Sequence, residues 1–289
     1  MNPVHLHTLL TILDEGSFEG AAAILGISPS AVSQRVKALE KDVGRVVLRR
    51  TNPVTVTHAG EILAQAARKM ELVQAETNAR LRSRVERVPL AIAVNADSLS
   101  TWFLPVLAKV AQWGNAALQL RREDEAHTLA LLRRGDVLGA VTREEAPVSG
   151  CDVVELGDMH YVAVATPQLR STYSTAEGID WAHMPALGFG PRDGLKNMDL
   201  EGRLAPDVPR RRRMNYIPST EAFVEAARVG LGWALLPDFQ AEPLLRARDV
   251  VLLDDRVLQV RLYWQRWRLE SPLLEDLTAA VVDAAAVLR

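Results

Sequence analysis

The stretch SPSAVSQRVKALEK, residues Ser28–Lys41, decides how the N-terminal part of this chain folds. Ser28 is a good helix N-cap, and Pro29 suits the first helical position. An apolar stripe recurs at helical spacing, formed by Val32, Val36, Leu39 and Val43. Polar residues fall on another face, namely Ser30, Ser33, Gln34, Lys37 and Lys41. Such a face suits a helix in a DNA major groove, although an ordinary amphipathic surface helix has the same pattern.

The segment before this helix favours the DNA-binding alternative. A first helix is predicted from leucines at helical spacing, Leu6, Leu9, Leu10 and Leu13, and it ends at Glu15-Gly16. A second short helix, Phe18–Leu25, follows the cap residue Ser17 and ends at Gly26. Two short helices joined by so tight a turn are typical of a helix-turn-helix, in which the second helix reads DNA.

The segment after this helix predicts a basic hairpin wing. Two β-prone runs flank Asn52-Pro53 and place Arg49 and Arg50 where phosphates would lie. Residues 1–87 contain 12 Lys and Arg against 9 Asp and Glu, a net charge of +3, so the other 202 residues carry −5. The positive charge is therefore concentrated in the N-terminal part, which favours a polyanion partner for that part alone.

The composition restricts the class of protein. A chain of 289 residues with 48% hydrophobic residues fits two or three folded domains. No apolar run reaches membrane-spanning length, and the N-terminus lacks a signal-peptide pattern. The single cysteine, Cys151, excludes an intramolecular disulfide, so we expect a cytoplasmic protein. One cysteine and six scattered histidines give no metal-ligand spacing, and we expect no metal and no cofactor.

Residues 58–87 predict one long helix, because proline is absent and the single glycine, Gly60, lies near the start. Such a helix is about 45 Å long at 1.5 Å per residue. Its apolar stripe contains Ile62, Leu63, Ala66, Met70, Val73 and Thr77. The stripe needs a partner, either an antiparallel copy from a second subunit or the body of the same chain. The first alternative predicts a homodimer or homotetramer.

From residue 88 onward, short apolar runs alternate with helical segments, which favours a mostly parallel α/β sheet. The predicted strands are Leu90–Val94, Leu118–Leu120, Val137–Val141, Tyr161–Ala165, Ala186–Phe189, Met214–Ile217, Trp233–Leu236 and Leu262–Trp264. Helices are predicted over Trp102–Val110 and Leu273–Leu288. We interpret this region as two α/β lobes with crossing connections, similar to periplasmic binding proteins.

Polar residues follow the predicted strands, where ligands bind in such sheets and often lie between lobes. In the first lobe they are Asn95, Asp97, Ser98, Thr101, Glu123, Asp124, Glu125, His127, Thr128 and Thr142. In the second lobe they are Asp193, Ser219, Thr220 and Glu221. Helix N-termini with hydroxyls suit a carboxylate, and clustered carboxylates suit a cation. The set predicts a site for lysine, arginine or histidine, although each residue alone is as readily a helix cap.

Residues 1–60 resemble the winged helix-turn-helix of LysR-type transcriptional regulators. The resemblance is carried by Gly16-Ser17-Phe18, Ala21-Ala22, Leu25, Ser28–Ser33, Leu39-Glu40, Gly44, Arg50, Thr57 and Gly60. The pair Val47-Leu48 departs from the usual Leu-Phe of the family. Three further phrases resemble the LysG/ArgP branch, whose members control lysine or arginine export: residues 95–102, 123–128 and 263–267.

The resemblance implies three parts. They are a winged helix-turn-helix DNA-binding domain over 1–57, a dimerisation helix over 58–87 and an effector-binding domain over 88–289. Lobe one of the effector domain comprises about 88–160 plus 269–289, and lobe two about 161–268. The implied DNA contacts are Ser28, Pro29, Ser30, Ala31, Ser33, Gln34, Lys37, Arg49, Arg50 and Thr51. The implied function is activation of an amino-acid exporter gene, with operator DNA and RNA polymerase as partners and no membrane.

Two other classes of function are weighed beside this one. An effector-independent DNA architectural or replication-control protein would use the α/β part only for assembly. An enzyme would need a reactive constellation, and neither a Ser-His-Asp nor a Cys-His arrangement stands out in the sequence. The run Arg210–Arg213 is interpreted as a solvated loop or an interface edge in preference to a nucleic-acid site.

Overall fold

The computed structural model describes residues 2–82, 87–121, 125–191, 194–195, 203 and 213–288. The chain divides into two compact units. Unit 1 comprises Met1–Asn95, Pro105–Val154 and Tyr263–Asp283. Unit 2 comprises Ala96–Leu104, Glu155–Leu262 and Ala284–Arg289. In the part of the chain that is described, no helix is both long and apolar enough to cross a bilayer.

Three short helices open unit 1: α1 (Pro3–Glu15), α2 (Phe18–Leu25) and α3 (Pro29–Val43). Side-chain caps begin the second and third, since Ser17 accepts from the Gly20 N–H and Ser28 from the Ala31 N–H. Each helix ends at a glycine in the left-handed region, with φ of 66°, 63° and 71°. The predicted helices, caps and stops are confirmed.

The predicted wing is a two-stranded antiparallel hairpin, β1 (Leu48–Arg49) with β2 (Thr55–Val56). Its start is fixed by Glu40, whose carboxylate accepts from the Val47 N–H at 2.9 Å. The wing, the three helices and the start of the next helix share one core, made by Leu6, Leu9, Leu10, Ile12, Ala21, Ala22, Val32, Val36, Leu39, Val47, Leu48, Leu63, Ala64 and Ala67. Because Val32, Val36 and Leu39 of α3 are buried in this core, the polar face of α3 is turned towards solvent.

The long helix α4 (His58–Arg82) has two apolar faces. One face is buried within the chain and contains Leu63, Ala64, Ala67 and Leu72. It contacts α1 and the first strand of the following sheet. The other face leaves Ile62, Met70 and Val73 about half exposed, at 53%, 49% and 53%. The predicted stripe is therefore divided between residues buried against the chain's own body and residues that are exposed to solvent in the described part of unit 1.

The remainder of unit 1 is a sheet covered by helices. Its parallel strands are β3 (Val88–Ala93), β4 (Ala116–Arg121) and β5 (Gly139–Thr142), with β3 in the middle. The helices of this part are α6 (Leu104–Val110) and α7 (Glu125–Arg134). The short helix α5 (Ala96–Ser100), which lies between β3 and α6 in the chain, belongs to unit 2. The carboxyl ends of the three parallel strands therefore meet at one edge of the sheet.

Unit 2 contains most of a long strand, β6 (Cys151–Ala165), from Glu155 onward, and several shorter elements. These are α8 (Pro167–Thr172), β7 (Ser174–Thr175), β8 (Gly178–Ile179), β9 (Ala186–Gly188), β10 (Met214–Tyr216), α9 (Thr220–Arg228), β11 (Ala234–Pro237) and α10 (Asp238–Ala247). A second long strand, β12 (Val251–Trp267), leads back to unit 1, where α11 (Pro272–Ala284) follows. The 3₁₀ turn after it, Ala285–Val287, belongs to unit 2.

Several predicted elements differ from the structure. The strands at Tyr161–Ala165 and Leu262–Trp264 are only the ends of β6 and β12, which are 15 and 17 residues long. Both long strands form antiparallel pairs, β12 with β5 and β6 with β11, so the sheets are mixed and not mostly parallel. The helix predicted over Trp102–Val110 is α6 alone, preceded by a turn and by the separate helix α5. The helix α10 was not predicted.

Candidate nucleic-acid interface and ligand site

The polar face of α3 is presented to solvent. Ser28, Pro29, Ser30, Gln34 and Lys37 are exposed, whereas Ala31 and Ser33 are half-buried. Ser28 has a local role as well, because its hydroxyl lies 3.2 Å from the Ala31 N–H and 2.8 Å from the Ser30 hydroxyl. Ser33 and Gln34 follow one turn after Ser30, and Lys37 follows a further turn later on the same polar face of the helix. In a helix that enters the major groove, short polar side chains such as these can contact base edges, and a lysine further along can contact a phosphate.

The wing adds cations beside this helix. Arg49, Arg50 and Thr51 are all exposed. The Arg50 guanidinium lies over the Phe18 ring, 5.2 Å from its centroid, so α2 supports the side chain from below. The Thr51 hydroxyl donates to the Pro53 carbonyl at 2.7 Å and thereby closes the turn. Every predicted nucleic-acid residue therefore lies on α3, at its start or on the wing.

In unit 1, two of the predicted ligand residues lie at the carboxyl edge of the parallel strands. Asn95 follows β3 and is buried, and Thr142 ends β5 and is fully buried. Thr142 is held by its own loop, since its hydroxyl accepts from the Glu144 N–H at 3.1 Å. Thr128, on α7, is also fully buried. Residue 265 supports the same loop: the Gln265 amide donates to the carbonyls of Glu144 and Ala146 at 2.8 and 3.0 Å.

In unit 2, the structure brings two predicted segments together. Asp97 and Ser98 lie on α5 and Thr101 follows it, and α5 contacts α9, whose start carries Thr220 and Glu221. Ser98 is fully buried, and Thr220 is buried as well. These segments are more than 100 residues apart in the sequence. The contact between α5 and α9 therefore brings these two predicted segments into one region of unit 2.

Helix capping explains part of this set. The Ser219 hydroxyl accepts from the Ala222 N–H at 3.4 Å and donates to the Glu221 carboxylate at 2.9 Å. Asp97 receives local contacts too, because its carbonyl accepts from the Thr101 hydroxyl at 2.6 Å. The capping interpretation and the ligand interpretation therefore apply to the same side chains, and Ser219 and Thr101 are two residues that have a local role.

Tyr161 is a residue of this region that the sequence analysis did not select. Its hydroxyl donates to the Asp97 carboxylate at 2.9 Å, and the side chain is 2% exposed. It lies in an apolar run, Tyr161–Ala165, whose pattern predicts only a strand. The tyrosine hydroxyl within that run was the one available signal, since a buried tyrosine needs a polar partner.

Several predicted residues lie outside the part of the chain that the structure describes. These are Glu123, Asp124, Asp193 and the side chains of Glu125 and His127, together with Arg210, Arg211 and Arg212 of the arginine run. Within the described ranges, no three His, Cys, Asp or Glu side chains are grouped as a metal site. Cys151 is buried, and this burial raises the pKa of its thiol to about 11.

The comparisons with known proteins agree with this geometry. Residues 3–61 match the family model of the bacterial regulatory helix-turn-helix protein, lysR family, and residues 83–286 match that of the LysR substrate binding domain. The chain belongs to the LysR family. This LysR-family protein is accordingly a DNA-binding transcriptional regulator with a winged helix-turn-helix head, a long linking helix and a two-lobed α/β domain. The predicted fold class is confirmed.

Relatives place this LysR-family protein in one branch of the family. The lysine export transcriptional regulatory protein LysG of Corynebacterium efficiens is 62% identical over 285 residues, which cover 99% of this chain and 98% of the relative. Full-length LysG of Corynebacterium glutamicum, solved with bound effector Arg, is 62% identical, with 99% and 98% coverage and a TM-score of 0.84. ArgP of Mycobacterium tuberculosis is 38% identical, with 98% and 97% coverage and a TM-score of 0.85. The predicted LysG/ArgP branch is confirmed.

Proposed function

We propose that this LysR-family regulator senses a basic amino acid and activates transcription of an amino-acid exporter gene. The observation that carries the proposal is the 62% identity, over nearly the whole chain, to LysG proteins: one is named for lysine export and another was solved with bound effector Arg. Lysine, arginine and histidine each combine a carboxylate with an ammonium group and a basic side chain. Recognition therefore needs hydroxyl or N–H donors for the carboxylate and carboxylates for the cations.

The residues proposed for effector contact supply both kinds of group. Hydroxyl and amide donors come from Asn95, Ser98, Thr101, Thr128, Thr142, Ser219 and Thr220. Carboxylates come from Asp97, Glu123, Asp124, Asp193 and Glu221, and His127 is a further polar member. Among the described residues, the buried hydroxyls of Thr128 and Thr142 and the half-buried carboxylate of Asp97 support this assignment. No other cofactor is part of the proposal.

For DNA, we assign base edges to the start of α3 and phosphates to the cations. Ser33 and Gln34 are proposed to read bases, with Ser28, Pro29, Ser30 and Ala31 close to the groove floor or backbone. Lys37, Arg49, Arg50 and Thr51 are proposed to contact phosphates. The outward position of this face, with its apolar side buried in the head core, supports the assignment.

The oligomer is proposed to form through the second apolar face of α4. That face borders a groove of about 860 Å³ between α1 and α4, lined in part by Val4, Met70 and Val73. A second copy of the chain is the occupant we propose, because paired heads read two half-sites and the groove runs along a helix long enough to pair with itself. The assembly is a homodimer or a homotetramer.

The remaining parts of the proposal follow from the role of an activator. The protein acts in the cytoplasm, contacts RNA polymerase at the promoter and carries out no enzymatic step. Effector binding favours one arrangement of the effector domain, which changes how the paired heads engage or bend DNA. The coupling is reciprocal, so operator DNA must raise the affinity for an activating effector by the same factor.

A gel-shift and footprinting titration of the full chain tests the proposal. The DNA is the region upstream of the neighbouring gene, with random DNA of the same length as reference. Lysine, arginine and histidine are added separately, and citrulline is the matched control because it has the shape of arginine without the guanidinium charge. We expect the footprint to change with at least one basic amino acid and to stay unchanged with citrulline.

Two results would contradict different parts of the proposal. Equal affinity for the upstream and random DNA would contradict a sequence-specific regulator. A specific footprint that no amino acid alters, together with no heat of binding in calorimetry, would favour the effector-independent architectural protein instead.

A further inference from the structure

Hydrogen bonds hold the short helix α5 in place within unit 2. The Asp97 carbonyl accepts from the Ser100 hydroxyl at 3.1 Å as well as from Thr101. Ser100 in turn accepts from the Gln240 side-chain amide of α10 at 3.0 Å. These bonds fix the backbone of Asp97, but they leave the orientation of its carboxylate to be set by another group.

Tyr161 is a group that orients this carboxylate. The residue lies opposite Pro237 in the antiparallel pair of β6 with β11, so its backbone is held by strand pairing. Its hydroxyl lies 2.9 Å from Asp97 Oδ2 and 3.5 Å from Met159 Sδ. A phenol has one proton to donate, and a carboxylate oxygen at the shorter distance is a far stronger acceptor than a thioether.

Anchoring of this kind matters for recognition of a small ligand. A carboxylate that must be immobilised when the ligand binds loses side-chain freedom at that moment, which lowers the affinity. A side chain locked beforehand by a buried hydrogen bond avoids that loss and keeps the geometry that a cation requires.

We infer that Tyr161 is a positioning residue of the effector site, which holds the Asp97 carboxylate ready for a cationic group of the basic amino acid. The inference rests on the proposed effector role of Asp97. Tyr161 itself is buried behind Asp97 and acts through it. The residue should therefore influence effector affinity without influencing DNA affinity in the absence of effector.

The test is a double-mutant cycle on the full chain, with arginine and lysine binding measured by calorimetry. The variants are Tyr161→Phe, Asp97→Asn and the combination of both. Tyr161→Phe removes one oxygen and retains the ring. We expect it to weaken arginine binding about tenfold, in keeping with the loss of one hydrogen bond to a charged group. If Tyr161 acts through Asp97, Tyr161→Phe has no further effect once Asp97→Asn is present.

The controls separate positioning from general stability. Tyr173→Phe removes the same atom elsewhere in unit 2 and should leave effector binding unchanged. The melting temperature and the operator affinity without effector are measured for all variants. Wild-type affinity in Tyr161→Phe, or losses that add in the double variant, would overturn the inference. Absence of any arginine or lysine binding by the wild-type chain would instead overturn the proposed function on which it rests.

Discussion

The hydroxyl of Ser271 donates a hydrogen bond to the Glu76 carboxylate while it accepts another from the Leu274 N–H at 3.1 Å. Ser271 is 2% exposed and Glu76 is 9% exposed, so water does not replace either bond. Glu76 lies on α4, and Ser271 precedes α11. A single hydroxyl therefore caps α11 and joins it to the helix that carries the DNA-binding head. Lys69, which lies 4.0 Å from the Trp267 ring, joins the same two regions.

We expect Ser271→Ala to lower the free energy of unfolding by about 2–4 kcal/mol. The substitution removes a helix cap and leaves a buried carboxylate without its donor. Glu76→Gln is the matched control, because an amide oxygen still accepts from Ser271, and it should cost less than about 1 kcal/mol. Urea denaturation followed by circular dichroism measures both. Equal losses in the two variants would mean that the hydrogen bond contributes little.

Gln34→Ala should reduce the discrimination between operator and random DNA by about 1–3 kcal/mol, because Gln34 is exposed on the outward face of α3. Lys37→Ala is the comparison variant: it should weaken binding to both DNAs alike and lower the salt dependence by about one charge. Fluorescence anisotropy at several salt concentrations measures both effects. If Gln34→Ala weakens binding to operator and random DNA equally, Gln34 contacts only the DNA backbone and reads no base.

Gly60→Ala should destabilise the junction of the wing with α4. A Cβ at this position would collide with the Val47 carbonyl oxygen, which belongs to the backbone and cannot move without the wing. We expect a loss of about 2–4 kcal/mol. Gly114→Ala is the matched control, because a Cβ there meets no atom within 4 Å. A melting temperature of Gly60→Ala equal to that of Gly114→Ala would show that the Val47 carbonyl can move away from residue 60 at little cost.

The buried thiol of Cys151 should make stability fall in alkaline solution. Because burial raises its pKa to about 11, the folded chain holds the proton more tightly than the unfolded chain, whose cysteine has a pKa of about 8.5. Unfolding therefore becomes easier as pH rises from about 8.5 towards 11, by about 1 kcal/mol or more at pH 10. The stability difference between wild type and Cys151→Ala should shrink between pH 7.5 and pH 10. A constant difference would exclude this linkage.

Each helix of the DNA-binding head can be predicted from the sequence because its start and end depend on residues close by in the chain. Ser17, Ser28, Gly16, Gly26 and Gly44 are caps and stops that act within a few residues of their own position. Their meaning does not depend on the rest of the fold. The polar face of α3 could be selected for the same reason, since one helical period defines it.

The effector domain depends on distant partners, and there the sequence was less informative. The helix α10 has no side-chain cap at Pro237 and contains Pro243, so it lacked the usual start signal. The strand β12 includes the polar run Asp254–Arg256, which is typical of a turn and concealed the strand's full length. Tyr161 could not be paired with Asp97 from the sequence, because only the fold brings residues 64 positions apart together.

The five crossings of the chain between the two units affect how the protein is made on the ribosome. Gln265, which completes the loop of unit 1, binds the Val148 N–H across 117 residues of chain. Leu288 packs its backbone against Gly157 in unit 2, at a comparable separation. Neither unit closes until both distant segments have been translated, so the nascent chain holds two unfinished sheets with open edges. Chaperone dependence during synthesis should therefore be set by Tyr263–Asp283 and Ala284–Arg289 and not by the head.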